Sequence, residues 1–193
     1  IATSSTVITI MQPSAIVLAI NTSTNVSCSG GNNGTASVTA ATGGTGAKSY
    51  NWTPGNPTGD GTVAISGLAS GIYTCTATDA NGCTKTTTVS ITQPTALSAT
   101  ISATNISCNG GANGSATVTP TGGTGAYTYA WSPSGGTAAT ATGLGVGSYT
   151  CTITDANMCS IATSISITQP TTALSATISA TNISCNGGAN GSA

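Results

Sequence analysis

Charge is almost missing from this chain. Its 193 residues hold two lysines, three aspartates and no arginine, glutamate or histidine. Charged residues make up 3 % of the total, against roughly 25 % in an ordinary soluble domain. A net charge of −1 offers no electrostatic footprint for nucleic acid or an anionic membrane surface. Without histidine or glutamate, the many serine and threonine hydroxyls lack an ordinary general base, so the sequence reads as non-catalytic. Phenylalanine is absent too, which leaves Trp52, Trp131 and five tyrosines as the aromatic material for a core. The longest apolar run, AIVLAI at 15–20, is strand-sized and far below the ~20 residues of a membrane span. No basic segment precedes it, so residues 1–20 do not read as a secretion signal. No membrane insertion is expected.

Glycine, serine, threonine, alanine and asparagine fill much of the chain, with many valines and isoleucines among them. That mixture favours short, half-buried strands joined by tight turns. Seven cysteines in such a chain point to an oxidising, extracellular setting.

Internal repetition is the dominant signal. TALSATISATNISCNGGANGSA occupies 95–116 and recurs unchanged at 172–193. Gln-Pro recurs at 12–13, 93–94 and 169–170, GGTGAKSYNW (43–52) matches GGTGAYTYAW (122–131), and YTCTATDANGC (73–83) matches YTCTITDANMC (149–159). Cys28, Cys108 and Cys185 each open a CSGGNNG or CNGGANG turn. The unit is therefore 76–81 residues, spanning 14–94 and 95–170. Residues 1–13 are expected to be the closing strand of a preceding unit and 171–193 the start of a following one. Strands are expected near 15–27, 35–41, 47–53, 62–66, 71–78 and 84–92. Alternation is clearest in AYTYAW, where Tyr127, Tyr129 and Trp131 share a face. Six or seven short strands in ~80 residues predict an all-β fold of tandem immunoglobulin-like β-sandwich repeats.

CNGGANGSATV, GGTGAYTYAW, GLGVGSYTCTITDANMC and the closing ITQP resemble the SprB repeat of very large cell-surface adhesins in gliding Bacteroidota. The resemblance covers the whole chain. It implies an exported filament, delivered by type IX secretion and carried along the cell surface during gliding. It also implies that the first and third cysteines of a unit are usual, whereas Cys75 and Cys151 stand where valine is common. Met158 replaces the glycine of DANG.

Each unit holds three cysteines: Cys28, Cys75 and Cys83, then Cys108, Cys151 and Cys159. A domain this small gains from a staple. The expected bridges are Cys28–Cys83 and Cys108–Cys159, with Cys75 and Cys151 as buried thiols. Seven alternating strands would instead put the first and third cysteines at opposite poles, pairing Cys28 with Cys159. Cys28–Cys75, or no bridge, are further alternatives. No C-x-x-C or histidine supports a metal site. Tyr73 and Tyr149, two residues before Cys75 and Cys151, echo the tyrosine corner of immunoglobulin sandwiches. Leu68 and Leu144 would plug the core, and Trp52 and Trp131 would centre it rather than form a sugar-stacking strip. Asp79 and Asp155 read as turn formers, since calcium asks for more carboxylates than each unit offers. GGTG and CNGGANG fit no phosphate-loop pattern, and no cofactor is expected. Asn51, Asn105 and Asn113 open possible glycosylation triplets.

The functional expectation is a non-catalytic segment of a long extracellular filament or adhesin, located at the cell surface and mediating attachment and gliding. A self-assembling fibre subunit that donates an edge strand such as 1–11, or a carbohydrate-binding module of a secreted protein, are the alternatives. Expected partners are neighbouring repeats, other copies of the chain and surface polysaccharide. Lys48 and Lys85 are the only tryptic positions. The folded chain is therefore expected to survive trypsin on a gel, whereas the reduced, denatured chain yields cuts after those two residues. Rapid digestion of the folded chain would contradict the compact repeat array.

Overall fold

The structure, a computed structural model, describes residues 8–193. The expected closing strand within 1–13, and the donated strand 1–11, lie largely outside the described residues. The described regular elements are all strands. The first repeat carries β1 (Ile20–Thr24), β2 (Gly34–Val38), β3 (Ser49–Thr53), β4 (Ala64–Leu68), β5 (Gly71–Thr78) and β6 (Thr84–Ile91). The second carries β7 (Ser98–Thr104), β8 (Gly114–Thr121), β9 (Thr128–Ser132), β10 (Thr140–Leu144), β11 (Gly147–Thr154) and β12 (Ser160–Ile167). Six strands per repeat settle the count left open by the sequence.

Each repeat forms two three-stranded sheets, in the orders β1-β2-β4 and β3-β5-β6, then β10-β8-β7 and β12-β11-β9. These orders correspond to strands A-B-E and C-F-G of an immunoglobulin sandwich, with strand D absent. The expected strand over 15–27 is shorter than its apolar run suggested. Val17 bridges Thr42 separately, and a register shift between Ile20 and Thr22 interrupts the pairing with β2.

Alternation builds the core. The burial pattern along β2 repeats every second residue, putting Gly34, Ala36 and Val38 inside, and β8 buries Gly114, Ala116 and Val118 in the same way. Trp52 on β3 is fully buried and pairs directly with Cys75 on β5. Its indole N–H donates to the Thr62 carbonyl at 3.0 Å. Trp131, 8 % exposed, donates to Ala138 at 2.9 Å. Cys75 and Cys151 occupy the strand-F cysteine position of an immunoglobulin domain. The buried face of β2 opposes no thiol there, only glycine, alanine and valine.

On the outer faces, hydroxyl pairs stand where charge pairs would be expected. Thr24 meets Thr35 and Thr22 meets Ser37 at 2.7 Å, while Thr117 meets Thr140 at 3.0 Å. Such cross-strand pairs contribute roughly 0.2–1 kcal/mol each. The described residues form two compact units, the first 8–98 with 121–127 and 154–160, and the second 99–120, 128–153 and 161–193.

Gly34 and Gly114 open the central strands where no side chain fits. A Cβ on Gly114 would lie 2.7 Å from Ile167 Cγ2 and 2.8 Å from the Leu144 carbonyl oxygen. Gly114→Ala is expected to destabilise its sandwich by about 1–3 kcal/mol, the usual cost of overpacking. Urea unfolding measures this, and a change within about 0.5 kcal/mol, as at an ordinary surface site, would mean that the strands separate freely there.

Candidate functional site

The features that set this chain apart from a plain sandwich are its cysteine-bearing loops and turns. The loop after β1 closes on itself. Gly31 N donates to the Cys28 carbonyl at 3.0 Å, Gly30 takes a φ of 76°, and Asn33 clamps Ser27. The Asn33 carbonyl oxygen accepts from Ser27 N at 2.9 Å, and its amide donates to Ser27 Oγ at 2.6 Å. Gly30 tolerates the left-handed conformation because it has no Cβ. The same clamp recurs between Asn113 and Ser107 and between Asn190 and Ser184. The loop at Cys185 therefore has the local geometry of the other two.

A glutamine fixes two of these loops to the strand that closes their sandwich. Gly30 N donates to Gln93 Oε1 at 2.8 Å and Gly110 N to Gln169 Oε1 at 2.9 Å. The repeating Gln-Pro pair thus has a structural task that its recurrence alone did not reveal.

The turns after β5 and β11 are organised by aspartate. Asp79 Oδ2 accepts from Thr45 N at 2.8 Å, and Oδ1 accepts from Asn81 N and Cys83 N at 2.9 Å. Asp155 accepts from Thr124 N, Asn157 N and Cys159 N in the same way. Both carboxylates are buried and saturated by backbone donors, so they build the turn. Among the described residues no cluster of three metal-ligating groups occurs. The Thr45 N–H is the chief influence lowering the pKa of Asp79, with further help from Cys83 N–H, Asn81 N–H and the Lys48 charge against the opposing effect of burial. Burial is the largest influence on Asp155 and pushes it up, but the N–H groups of Thr124, Cys159 and Asn157 outweigh it and leave it lowered. Met158 keeps the turn by adopting a φ of 66°, where Gly82 takes 82°. A left-handed non-glycine residue costs about 1 kcal/mol.

One disulfide is formed, Cys28–Cys159, with Cα atoms 5.7 Å apart and 131 residues of sequence separation. It lies within the first compact unit, which includes 154–160. Asn157 Nδ2 donates to the Ser27 carbonyl at 2.9 Å beside it. The expected pairs Cys28–Cys83 and Cys108–Cys159 are not formed, and Cys83 and Cys108 are free and exposed. Gln93 holds the Cys28 loop at one end of β6, while Cys83 precedes its other end. Eight residues of strand span roughly 25 Å, whereas a bridge needs Cα atoms within about 7 Å. Opposite poles therefore forbid closure within one repeat. In the chain-entropy model, closing a loop this long stabilises by about 5 kcal/mol.

The remaining site candidates sit in the interior. Tyr73 OH donates to the Ala69 carbonyl and Tyr149 OH to the Gly145 carbonyl, each at 3.2 Å. Cys75 and Cys151 are buried and free. Burial, aided by the Asp60 charge, pushes the Cys75 thiol up to about 11. Burial also raises Cys151, with the Ala130 backbone opposing it. These two thiols are therefore poor nucleophiles at neutral pH.

No protein of curated function matches the sequence. The family model for the SprB repeat matches residues 20–57 and 100–136, one segment in each sandwich. Among solved structures, Drosophila OTK extracellular domains 3–5 are similar at 17 % identity and a TM-score of 0.39, over 80 % of this chain and 62 % of that one. A structure on Dscam isoform specificity matches at 17 % identity and a TM-score of 0.36, over 83 % of this chain and 47 % of that one. The amphioxus IgVJ-C2 molecule matches at 17 % identity and 0.32, over 63 % and 88 % respectively. The chain thus spans about half the length of the Dscam chain.

The aspartate turns carry a pH dependence with a fixed sign. Their folded pKa values lie below the unfolded value of about 3.9, so their stabilisation is present above that pH and is lost as pH falls through the folded values. Asp155→Asn is expected to lower stability at pH 7 and to flatten the loss of stability on acidification below about pH 4. Thermal melts across that range read both effects. A variant with the parent's acid limb would remove Asp155 from this role.

Proposed function

With one SprB-repeat segment in each of two sandwiches as the premise, we propose that the chain is a tension-bearing, non-catalytic stretch of an extracellular cell-surface adhesin filament. The Cys28–Cys159 bridge carries this reading. Force applied at residues outside the bridge passes through its sulfur atoms, so the 131-residue span between the cysteines is shielded from extension. A disulfide also fits an oxidising, extracellular setting. No helix among the described residues is long and apolar enough to cross a membrane, a statement that bears only on helical spans. Surface attachment through polysaccharide, and gliding where the cell moves, are the processes such a filament would serve.

Single-molecule retraction from a polysaccharide-coated surface tests both halves of the reading. Oxidised chains are expected to detach without releasing the bridged span. Reduced chains should lengthen by up to about 450 Å before detachment, the reach of that span at ~3.5 Å per residue. Equal lengthening with and without reductant would sink the mechanical role, and an absence of adhesion events above bare tips would sink the attachment role.

A further inference from the structure

Hydroxyl groups converge on one cleft of the first sandwich. It has a volume of about 470 Å³ and is lined by Thr22, Thr35, Ser37, Thr58, Ala64 and Ser66, among others. That volume falls within the roughly 300–1,000 Å³ of small-ligand sites. Alternation puts Thr35 and Ser37 on the outer face of β2, either side of buried Ala36, and Ala64 and Ser66 on that of β4, either side of buried Ile65. Thr58 closes one side. It bridges Ser66, whose N–H donates to the Thr58 carbonyl at 3.0 Å. Ten residues, 54–63, join β3 to β4, whereas seven, 133–139, join β9 to β10, so this wall belongs to the longer connection of the first repeat. The wall sits tight on the strand at Gly59, where a φ of 94° and the Ala64 carbonyl oxygen leave no room for a Cβ.

The hydroxyls are not all spent on one another. Ser37 Oγ accepts from Thr22 N at 3.2 Å and from Asn21 Nδ2 at 3.4 Å, which fills its two lone pairs. Its own proton therefore goes to Thr22 Oγ1 at 2.7 Å, and Thr22 keeps a proton to donate elsewhere. Thr35 shares one hydrogen bond with Thr24. The Thr58 and Ser66 hydroxyls make none to the described residues.

The lining also restricts the ligand. No charged side chain contributes to it. Asp60 follows Gly59, but its carboxylate accepts from Trp52 N at 2.7 Å and Gly61 N at 2.9 Å. A charged ligand would find no counter-ion. An extended peptide adding to β4 is blocked as well, because Thr58 already pairs with Ser66 at the centre of that edge. A neutral, hydroxyl-rich ligand fits, since each wall hydroxyl can donate or accept while threonine methyls and Ala64 offer contact to C–H groups.

We propose that this cleft binds a short segment of a neutral polysaccharide on the surface to which the cell attaches, with Thr22, Thr58 and Ser66 hydrogen-bonding the sugar hydroxyls. Each such bond replaces one to water, so affinity per cleft is modest. The inference rests on the attachment half of the proposed function and assigns it to named residues.

Frontal chromatography of the full, oxidised chain on columns bearing dextran, mannan, galactan or alginate tests it. Retention on at least one of the three neutral columns, exceeding that on anionic alginate, is expected. Ser66→Ala should weaken it about two- to tenfold, the worth of one hydrogen bond. Ser66→Ile, which fills the cleft, should abolish it. Thr142→Ala, the matching position on β10, should leave it unchanged, and thermal melts like the parent's show that the variants fold. Equal retention of the parent and both Ser66 variants would strike the cleft while leaving attachment standing, as would a loss shared by Thr142→Ala. Stronger retention on alginate, or none on any neutral column, would overturn the proposal and leave attachment to be decided by the retraction experiment.

Discussion

β6 and β12 each run eight residues between a cysteine-bearing turn and the glutamine that anchors the other cysteine loop. That separation, roughly 25 Å, is the constraint on which the remaining arrangement rests. It prevents the first and third cysteines of a repeat from meeting, so the bond that forms joins Cys28 of one repeat to Cys159 of the next. It also fixes the polarity of the molecule, since one pole presents a glycine-rich loop and the other a rigid aspartate turn. The loop held by Gln93 and the turn built on Asp79 stay at opposite ends of β6.

The near-absence of charge is handled by backbone and hydroxyl chemistry. Asp79 and Asp155 spend their negative charge on three backbone N–H groups each, so neither is left as a free surface charge. Threonine and serine pairs knit the strands across the outer faces. No buried side-chain nitrogen or oxygen among the described residues lacks a partner. The sandwiches are thus held by apolar burial and short local hydrogen bonds, and little of their stability should respond to salt.

Much of the fold was legible from the repeat and from alternation. The aromatic strand ending at Trp131 and the tyrosines two residues before Cys75 and Cys151 carried period and context together, and they predict strands C and F. The first strand was less legible. AIVLAI reads as one apolar run, yet the tertiary pairing divides it: Val17 joins Thr42, while Ile20 onward joins β2. Spacing favoured closure within a repeat, whereas the poles that the cysteines reach decide the disulfide, and the Cys28–Cys159 pair that strand alternation offered as the alternative is the one formed. Gln93 and Gln169 were visible only as markers of the period. Their distance in sequence from the glycines they serve, 63 residues for Gly30 and Gln93, hides the contact from any local pattern.

The way Cys28 reaches forward to Cys159 also bears on how such a gene can change. Recombination between the identical stretches beginning at Thr95 and Thr172 excises 77 residues, 172 minus 95. The excised piece carries Cys108, Cys151 and Cys159 as a set. Duplication adds the same set. Because the Cys28–Cys159 link joins the first cysteine of one repeat to the third of the next, unequal crossing-over in whole units keeps one of each in every repeat. Copy number is then free to drift under selection for reach alone.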